Sequence, residues 1–291
     1  MRIWLAFAAT LFVVNSVVDV AVAQDAADPQ RSPPQRELLK PPKKGQVGSP
    51  ISDRFALRIS YFAPTVETML RLDRSNGQPG TELKVEDDLG LTDKPKQARM
   101  EMIIRLRERN RLRVDYFKLT RYGNEVLTRT INFGDSTFLV NDRAETSIDY
   151  RSLNLTYTRS LFYYDRFELG AGVGISLIET RAKGEVKARN VNESNDGVAP
   201  YPTFALDTTW RISKRWSFNA RGQRLAAHLD DFSGSLSEYH GDFQYRWRRN
   251  FTFGLGYTSL RLVAQSTSTD NLPGRLNQDV SGPDFFIRAS F

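Results

Sequence analysis

Apolar and polar residues alternate with a period of two along five stretches of the chain. Phe167, Leu169, Ala171, Val173, Ile175 and Leu177 alternate with Glu168, Gly170, Gly172, Gly174 and Ser176. Phe204, Leu206, Thr208, Trp210 and Ile212 alternate with Ala205, Asp207, Thr209 and Arg211. The same texture recurs at Phe251, Phe253, Leu255 and Tyr257, and at Tyr239, Gly241, Phe243, Tyr245 and Trp247. Met100, Met102, Ile104 and Leu106 alternate with Arg99, Glu101, Arg105 and Arg107, and Ile103 is out of phase. Each stretch predicts a strand with one greasy face. At the C-terminal end Phe285, Ile287, Ala289 and Phe291 share a face opposite Asp284, Arg288 and Ser290, with Phe286 the exception. A free edge strand of that kind invites aggregation, whereas in a closed membrane barrel the last strand pairs with the first. The pattern predicts an all-β chain, an antiparallel transmembrane β-barrel of about ten or twelve strands.

The strand number turns on residues 53–96. Arg54–Phe62 reads as a strand, Pro64 interrupts it before Thr65–Asp73, Gly77–Gly80 is a turn, and Thr81–Glu86 is a further strand. If 65–72 and 81–88 both cross the membrane the barrel has twelve strands; if they form one long first strand plus an external or inward-folded segment it has ten. Residues 111–133 and 137–157 predict an extended hairpin around Gly134-Asp135. Short connections near 108–110, 163–165, 213–215 and 248–250 alternate with long ones at 181–199, 229–235 and 266–281, as periplasmic turns and external loops do. Tyr163, Tyr164, Trp216 and Trp247 lie beside the short turns, where an interfacial aromatic girdle belongs.

The N-terminal end predicts export. Met1-Arg2 is followed by an apolar run from Ile3 to Val14, then by Ala21-Val22-Ala23 before Gln24, which fits a signal peptide (1–23) cleaved near Ala23. Residues 24–52 are polar and hold six prolines, so they predict a disordered periplasmic leader ahead of a barrel over 53–291. Cysteine is absent, which excludes disulfides, thiolate metal sites and a lipidated N-terminal Cys. The chain has 18 Phe, 11 Tyr and 4 Trp at a mean hydropathy of −0.46, the composition of alternating membrane strands. The net charge of +7 is spread singly among apolar residues, with no compact basic cluster that predicts nucleic-acid binding.

Five short motifs in order carry a family resemblance: Thr68-Met69-Leu70-Arg71-Leu72-Asp73, Gly80-Thr81, Glu86-Asp87-Asp88-Leu89-Gly90-Leu91, Arg109-Asn110-Arg111-Leu112 with Tyr116, and Ile131-Asn132-Phe133-Gly134-Asp135. Together with the C-terminal Phe they resemble uncharacterised proteobacterial outer-membrane β-barrel proteins. The resemblance implies the barrel and carries no assigned chemistry. The C-terminal strand resembles the signal recognised by the barrel-assembly machinery, in which Phe285, Ile287, Ala289 and Phe291 are the matching positions. The expected partners are that machinery, periplasmic chaperones and outer-membrane lipid or lipopolysaccharide.

Candidate chemistry lies on the polar face. Arg99, Glu101, Arg105, Arg107, Glu168, Asp207, Arg211, Arg221, Asp242, Arg246 and Arg288 are expected to point into the lumen, lining a pore for small polar solutes or filling it with ion pairs. Of the two histidines, His228 heads an expected external loop beside Asp230, Asp231, Ser233 and Ser235, and is the weak candidate for a rim hydrolase acting on lipid or peptide. His240 falls on the polar face and predicts lumen hydrogen bonding. Glu86-Asp87-Asp88 predicts a turn with solvated acids rather than a cation loop, since it lacks fixed ligand spacing. Gly170, Gly172 and Gly174 alternate within a strand and are expected to relieve crowding inside the barrel. No metal or cofactor is expected. The leading expectation is a non-enzymatic outer-membrane barrel, porin-like or structural; the alternatives are a rim enzyme and an adhesin using the loops at 181–199 and 266–281.

Overall fold

The computed structural model describes residues 48–187, 191–229, 232–267 and 273–291. The expected signal peptide and the leader up to residue 47 lie outside the described residues. The strands are β1 (Phe55–Phe62), β2 (Thr65–Leu72), β3 (Leu83–Lys84), β4 (Gln97–Arg107), β5 (Asn110–Val126), β6 (Ile131–Phe133), β7 (Ser136–Phe138), β8 (Arg143–Tyr163), β9 (Phe167–Val186), β10 (Val191–Arg211), β11 (Trp216–Leu229), β12 (Phe232–Arg246), β13 (Phe251–Ser266) and β14 (Gly274–Ser290). One short helix, α1, covers Val85–Leu89. Among the described residues no helix is long and apolar enough to cross a membrane.

Antiparallel neighbours follow in order from β4 to β14, with β6 and β7 forming a separate ribbon, and β14 closes the sheet by pairing with β1. The barrel has ten staves, because β1 and β2 are one strand interrupted at Ala63-Pro64. Phe62 pairs with Asp284 and Thr65 with Ser281, so both halves run along the same β14. Proline cannot donate to the ladder and breaks the strand without ending it. Of the two counts the sequence allows, the smaller one holds. The segment that would have supplied two more crossings instead folds inward as β3 and α1.

The expected long connections are mostly strand. β9 runs to Val186 and pairs through the expected 181–199 loop, with Val191 opposite Val186; β12 starts at Phe232 and β14 at Gly274. Polar residues that leave the bilayer still satisfy their backbone groups by pairing, so the ladder continues where the apolar pattern stops. The 111–157 hairpin also differs: β5 and β8 pair only to Val126–Arg143, and the tip turns back as the β6–β7 ribbon with Gly134 at φ 59°.

The phase of the alternation inverts partway up the barrel. In the lower half, where β1 begins and β14 ends, apolar side chains face outward: Tyr61, Phe204, Phe243, Leu255, Tyr257, Phe285 and Ile287 are all exposed. Higher up the same strands turn their apolar residues inward. Phe117 and Leu119 on β5, Tyr150 on β8, Ile178 on β9, Leu236 on β12, Leu260 and Leu262 on β13 and Val280 on β14 form one buried cluster inside the barrel. Their outward neighbours there are polar, as in the Arg151–Glu179 and Arg261–Asp279 pairs at 3.4 and 3.5 Å. A strand in lipid turns its apolar side out, and the same strand in water turns it in. The inversion marks where the barrel emerges from the bilayer.

Phe286, out of phase in the sequence, is buried within the lower lumen. Its ring lies 3.5 Å from the Arg58 guanidinium carbon, and it fills the space opposite Gly254, where an added Cβ would meet the ring at 2.2 Å.

Candidate functional site

Charged side chains line and pack the lower lumen. Among the described residues eight arginines (Arg58, Arg99, Arg105, Arg111, Arg113, Arg221, Arg246 and Arg288) share it with eight carboxylates (Asp53, Glu101, Asp115, Glu168, Asp207, Glu238, Asp242 and Asp284), and every one of these except Arg113 is in an ion pair. Burying a charge is costly unless it is paired and hydrogen-bonded, so the network is expected to be closely satisfied. Arg58 donates to Asp242 at 2.7 Å and Asp284 at 2.6 Å. Arg99 clasps Asp115 with two bonds of 2.8 and 2.9 Å and also reaches Glu238. Arg105 clasps Glu168 at 3.0 and 2.9 Å, Arg111 bonds Asp207, and Arg221 bonds Glu101. Asp53 takes Arg246 and Arg288 at the lower mouth.

Nine of the eleven polar-face residues lie in this lumen, and Arg107 and Arg211 sit at its edge. Arg107 is exposed, because a bulge between Arg105 and Arg107 shifts the strand's phase at the turn. Arg211 lies half-buried at the lower rim, and its backbone N–H donates to Arg166 O at 2.7 Å. A second bulge, between Ser160 and Phe162, turns Tyr163 inward beneath Arg105 and out of the expected girdle, while Tyr164, Trp216 and Trp247 remain exposed. Gly170 relieves crowding as expected: an added Cβ would lie 2.8 Å from Asp207 Oδ1 and 3.1 Å from an Arg111 nitrogen.

Sequence reasoning named neither Arg58 nor Asp53, Arg111, Arg113, Asp115, Glu238 and Asp284 as lumen residues. Strand parity places each of them except Asp53, which precedes β1, inward once a neighbouring strand is anchored, so the signal was present. The apolar layer above was missed because only the lipid-facing phase was followed. Residues 48–52, assigned to the leader, form a turn packed into the lower mouth, with Ile51 buried and Ser52 N–H donating to Ser49 O at 3.0 Å.

The upper mouth is capped by residues of the stretches 68–73, 80–91 and 131–138. Thr81 N–H donates to Asn132 O at 2.8 Å, Asn132 N–H to Thr81 Oγ1 at 2.9 Å, and Gly134 N–H to Leu72 O at 3.1 Å. Leu72, Leu83, Val85, Leu89, Leu91, Leu127, Ile131, Phe133 and Phe138 pack together against Ala144, Ile148 and Val186 of the wall. Glu86 is not a solvated turn residue: it accepts from Thr68 N–H at 2.9 Å and pairs with fully buried Arg121. Asp88 accepts from Arg129 at 2.8 Å. The acidic run is thus a helix turn in which Glu86 and Asp88 pair with arginines and Asp87 is exposed, and among the described residues no group of His and carboxylates is arranged to hold a metal.

The histidines divide as their environments dictate. His240 contacts Asp242 Oδ2 through Nε2 at 2.9 Å and Thr258 Oγ1 through Nδ1 at 2.8 Å. A base between a carboxylate and a hydroxyl has the connectivity of a nucleophile-activating site. Here all three groups are buried and Asp242 is also bonded to Arg58, so the arrangement is part of the lumen's packed polar network. The backbone of His228 lies in β11 opposite Ser233, near a tight connection to β12 rather than at the head of a long loop. Its side chain lies outside the described residues.

No family model matches the chain, and no curated protein sequence matches it. Solved structures do. The Yersinia pestis attachment invasion locus protein Ail aligns at 11% identity with a TM-score of 0.35, covering 80% of this chain and 99% of Ail. The Pseudomonas putida toluene transporter TodX aligns at 8% identity with a TM-score of 0.34, covering 84% of this chain and 93% of TodX. The outer membrane protease OmpT from Escherichia coli aligns at 9% identity with a TM-score of 0.51, covering 86% of this chain and 100% of OmpT. That last likeness shows the fold, and the fold is an outer-membrane β-barrel.

Proposed function

We propose that this chain is a non-enzymatic outer-membrane protein whose barrel is closed to solutes, a structural rather than a conducting member of its fold class. The observation that carries this reading is the layered lumen: a paired ion network below, an apolar layer at Phe117, Leu119, Tyr150 and Leu262, and a capped mouth above. Ions crossing the apolar layer would shed water without gaining polar partners, which costs several kcal/mol or more. The outward face of Phe285, Ile287 and Phe291 supports a lipid-facing closing strand and the expected engagement of the assembly machinery. Purified protein in a planar bilayer is expected to give no stable conductance steps; reproducible steps from the heat-modifiable folded form would overturn the closed reading.

A second reading, surface binding, is favoured by strand length. β8, β9 and β10 have 21, 20 and 21 residues, against about 9–11 needed to cross a bilayer, so half of each projects beyond it. Replacing residues 183–194 by a two-residue turn is expected to leave the barrel heat-modifiable and to abolish adhesion of expressing cells to a protein-coated surface. Unchanged adhesion would remove this reading.

A further inference from the structure

A cavity of about 60 Å³ lies inside the lower lumen, walled by Arg105, Arg111, Arg113, Thr158, Asp207 and Arg221 among others. Three of its arginines present buried N–H groups with no hydrogen-bond partner among the described residues: Arg105 Nε, Arg111 Nε and Arg113 Nη2. Arg105 and Arg111 satisfy their other nitrogens on Glu168 and Asp207. Arg113 is different. It is only 8% exposed and is in no described ion pair, because the nearby acids are already held by other guanidiniums. Asp115 is clasped by Arg99, Glu101 by Arg221, and Asp207 by Arg111.

A guanidinium cannot shed its charge at any accessible pH, so its burial is costly unless it is directly paired; the charges of Asp207, Asp115 and Glu238 act on Arg113, but none of them is in a described ion pair with it. The unpaired N–H groups belong to three residues that line a space with room for a monatomic anion and about three waters. We propose that this cavity is an anion site, in which Arg113 holds a halide-sized ion with the free N–H groups of Arg105 and Arg111 beside it. The lumen as a whole is balanced, but on the cavity lining six guanidiniums face only four carboxylates, Asp53, Glu101, Asp207 and Asp242, and the ion would offset that local excess. This inference is separate from the closed reading, since a conducting lumen would hold the same site.

The test uses the full barrel folded in detergent in the presence of bromide or chloride. Crystals grown in bromide are expected to show an anomalous peak within about 3.5 Å of Arg113 Nη2, the contact distance of a halide on a guanidinium. In solution the thermal midpoint should rise by about 4 °C for each tenfold increase in chloride above half-saturation. Matched gluconate, too large for the cavity, should give no such rise, and Arg113→Gln should lose the chloride response. A cavity without bromide in the native protein, or equal responses to chloride and gluconate, would overturn the site. The native-protein arms stand even where Arg113→Gln fails to fold.

Discussion

Arg58→Met is expected to destabilise the barrel by about 3–5 kcal/mol, the cost of leaving buried carboxylates without their cation. Arg58 is the only described guanidinium in contact with both Asp242 and Asp284, whose side chains are 2% and 3% exposed. It also stacks on Phe286, so methionine preserves much of the apolar contact while deleting the charge. Asp242 keeps Asn219 and Gln244 as donors at 3.0 and 2.9 Å, which softens the loss at that carboxylate. Asp284 retains only a 3.7 Å approach to His240 and carries the larger share. The measurement is the urea midpoint of the folded, fast-migrating form on a gel. Adding Asp242→Asn and Asp284→Asn to Arg58→Met should recover most of the loss, because neutral amides need no cation. A single-variant loss below about 1 kcal/mol would show that the network does not govern stability, and a triple variant no better than the single would place the loss in packing.

Much of this site was legible in the chain. Asp242, Arg246 and Gln244 fall on the polar face of a strand whose other face is Tyr239, Phe243 and Tyr245, and parity alone places them inward. What parity does not supply is partners. Arg58 and Asp242 are 184 residues apart and meet across the lumen, and the closure of β1 on β14 that brings Asp284 to them is a tertiary fact. Bulges defeat parity locally, as at Arg107 and Tyr163, because one extra residue reverses every side chain beyond it. Strand number was undecided because Pro64 looks the same whether it separates two strands or interrupts one. The apolar layer has a different cause. Leu177 and Ile178 are adjacent, and a period-2 reading that follows Leu177 into lipid stops there and assigns Ile178 to no face, although both are strand and face opposite sides. Paired apolar neighbours of this kind mark the membrane boundary in the sequence.

The cap should open independently of the barrel. Above Phe62 the first stave has lost β4 as its neighbour, and that edge is covered by β3 and the residues after it, with Val66 N–H donating to Asp93 O at 2.8 Å. Gly123 on β5 lets this segment lie against the wall: a Cβ there would stand 2.2 Å from Leu89 O and 2.8 Å from Leu91 Cδ1. The first clash is with backbone, so Gly123→Val must push α1 away from β5 rather than rotate a side chain. Overpacking of this severity costs about 1–3 kcal/mol, and a local opening made easier by about 2 kcal/mol is populated roughly thirtyfold more. Trypsin cleavage after Lys84, which precedes the fully buried Val85, should accelerate by about that factor, while the ladders from β4 to β14 keep the heat-modifiable form. Gly241→Ala, whose Cβ would meet nothing closer than 3.9 Å, is the matched control and should leave cleavage unchanged. Equal cleavage of Gly123→Val and the native chain would mean that the cap does not rest on this contact. If the cap opens and the bilayer trace stays silent, the seal lies below it, in the apolar layer around Phe117 and Leu262. If conductance appears with the opening, the cap itself is the barrier and the apolar layer is passable.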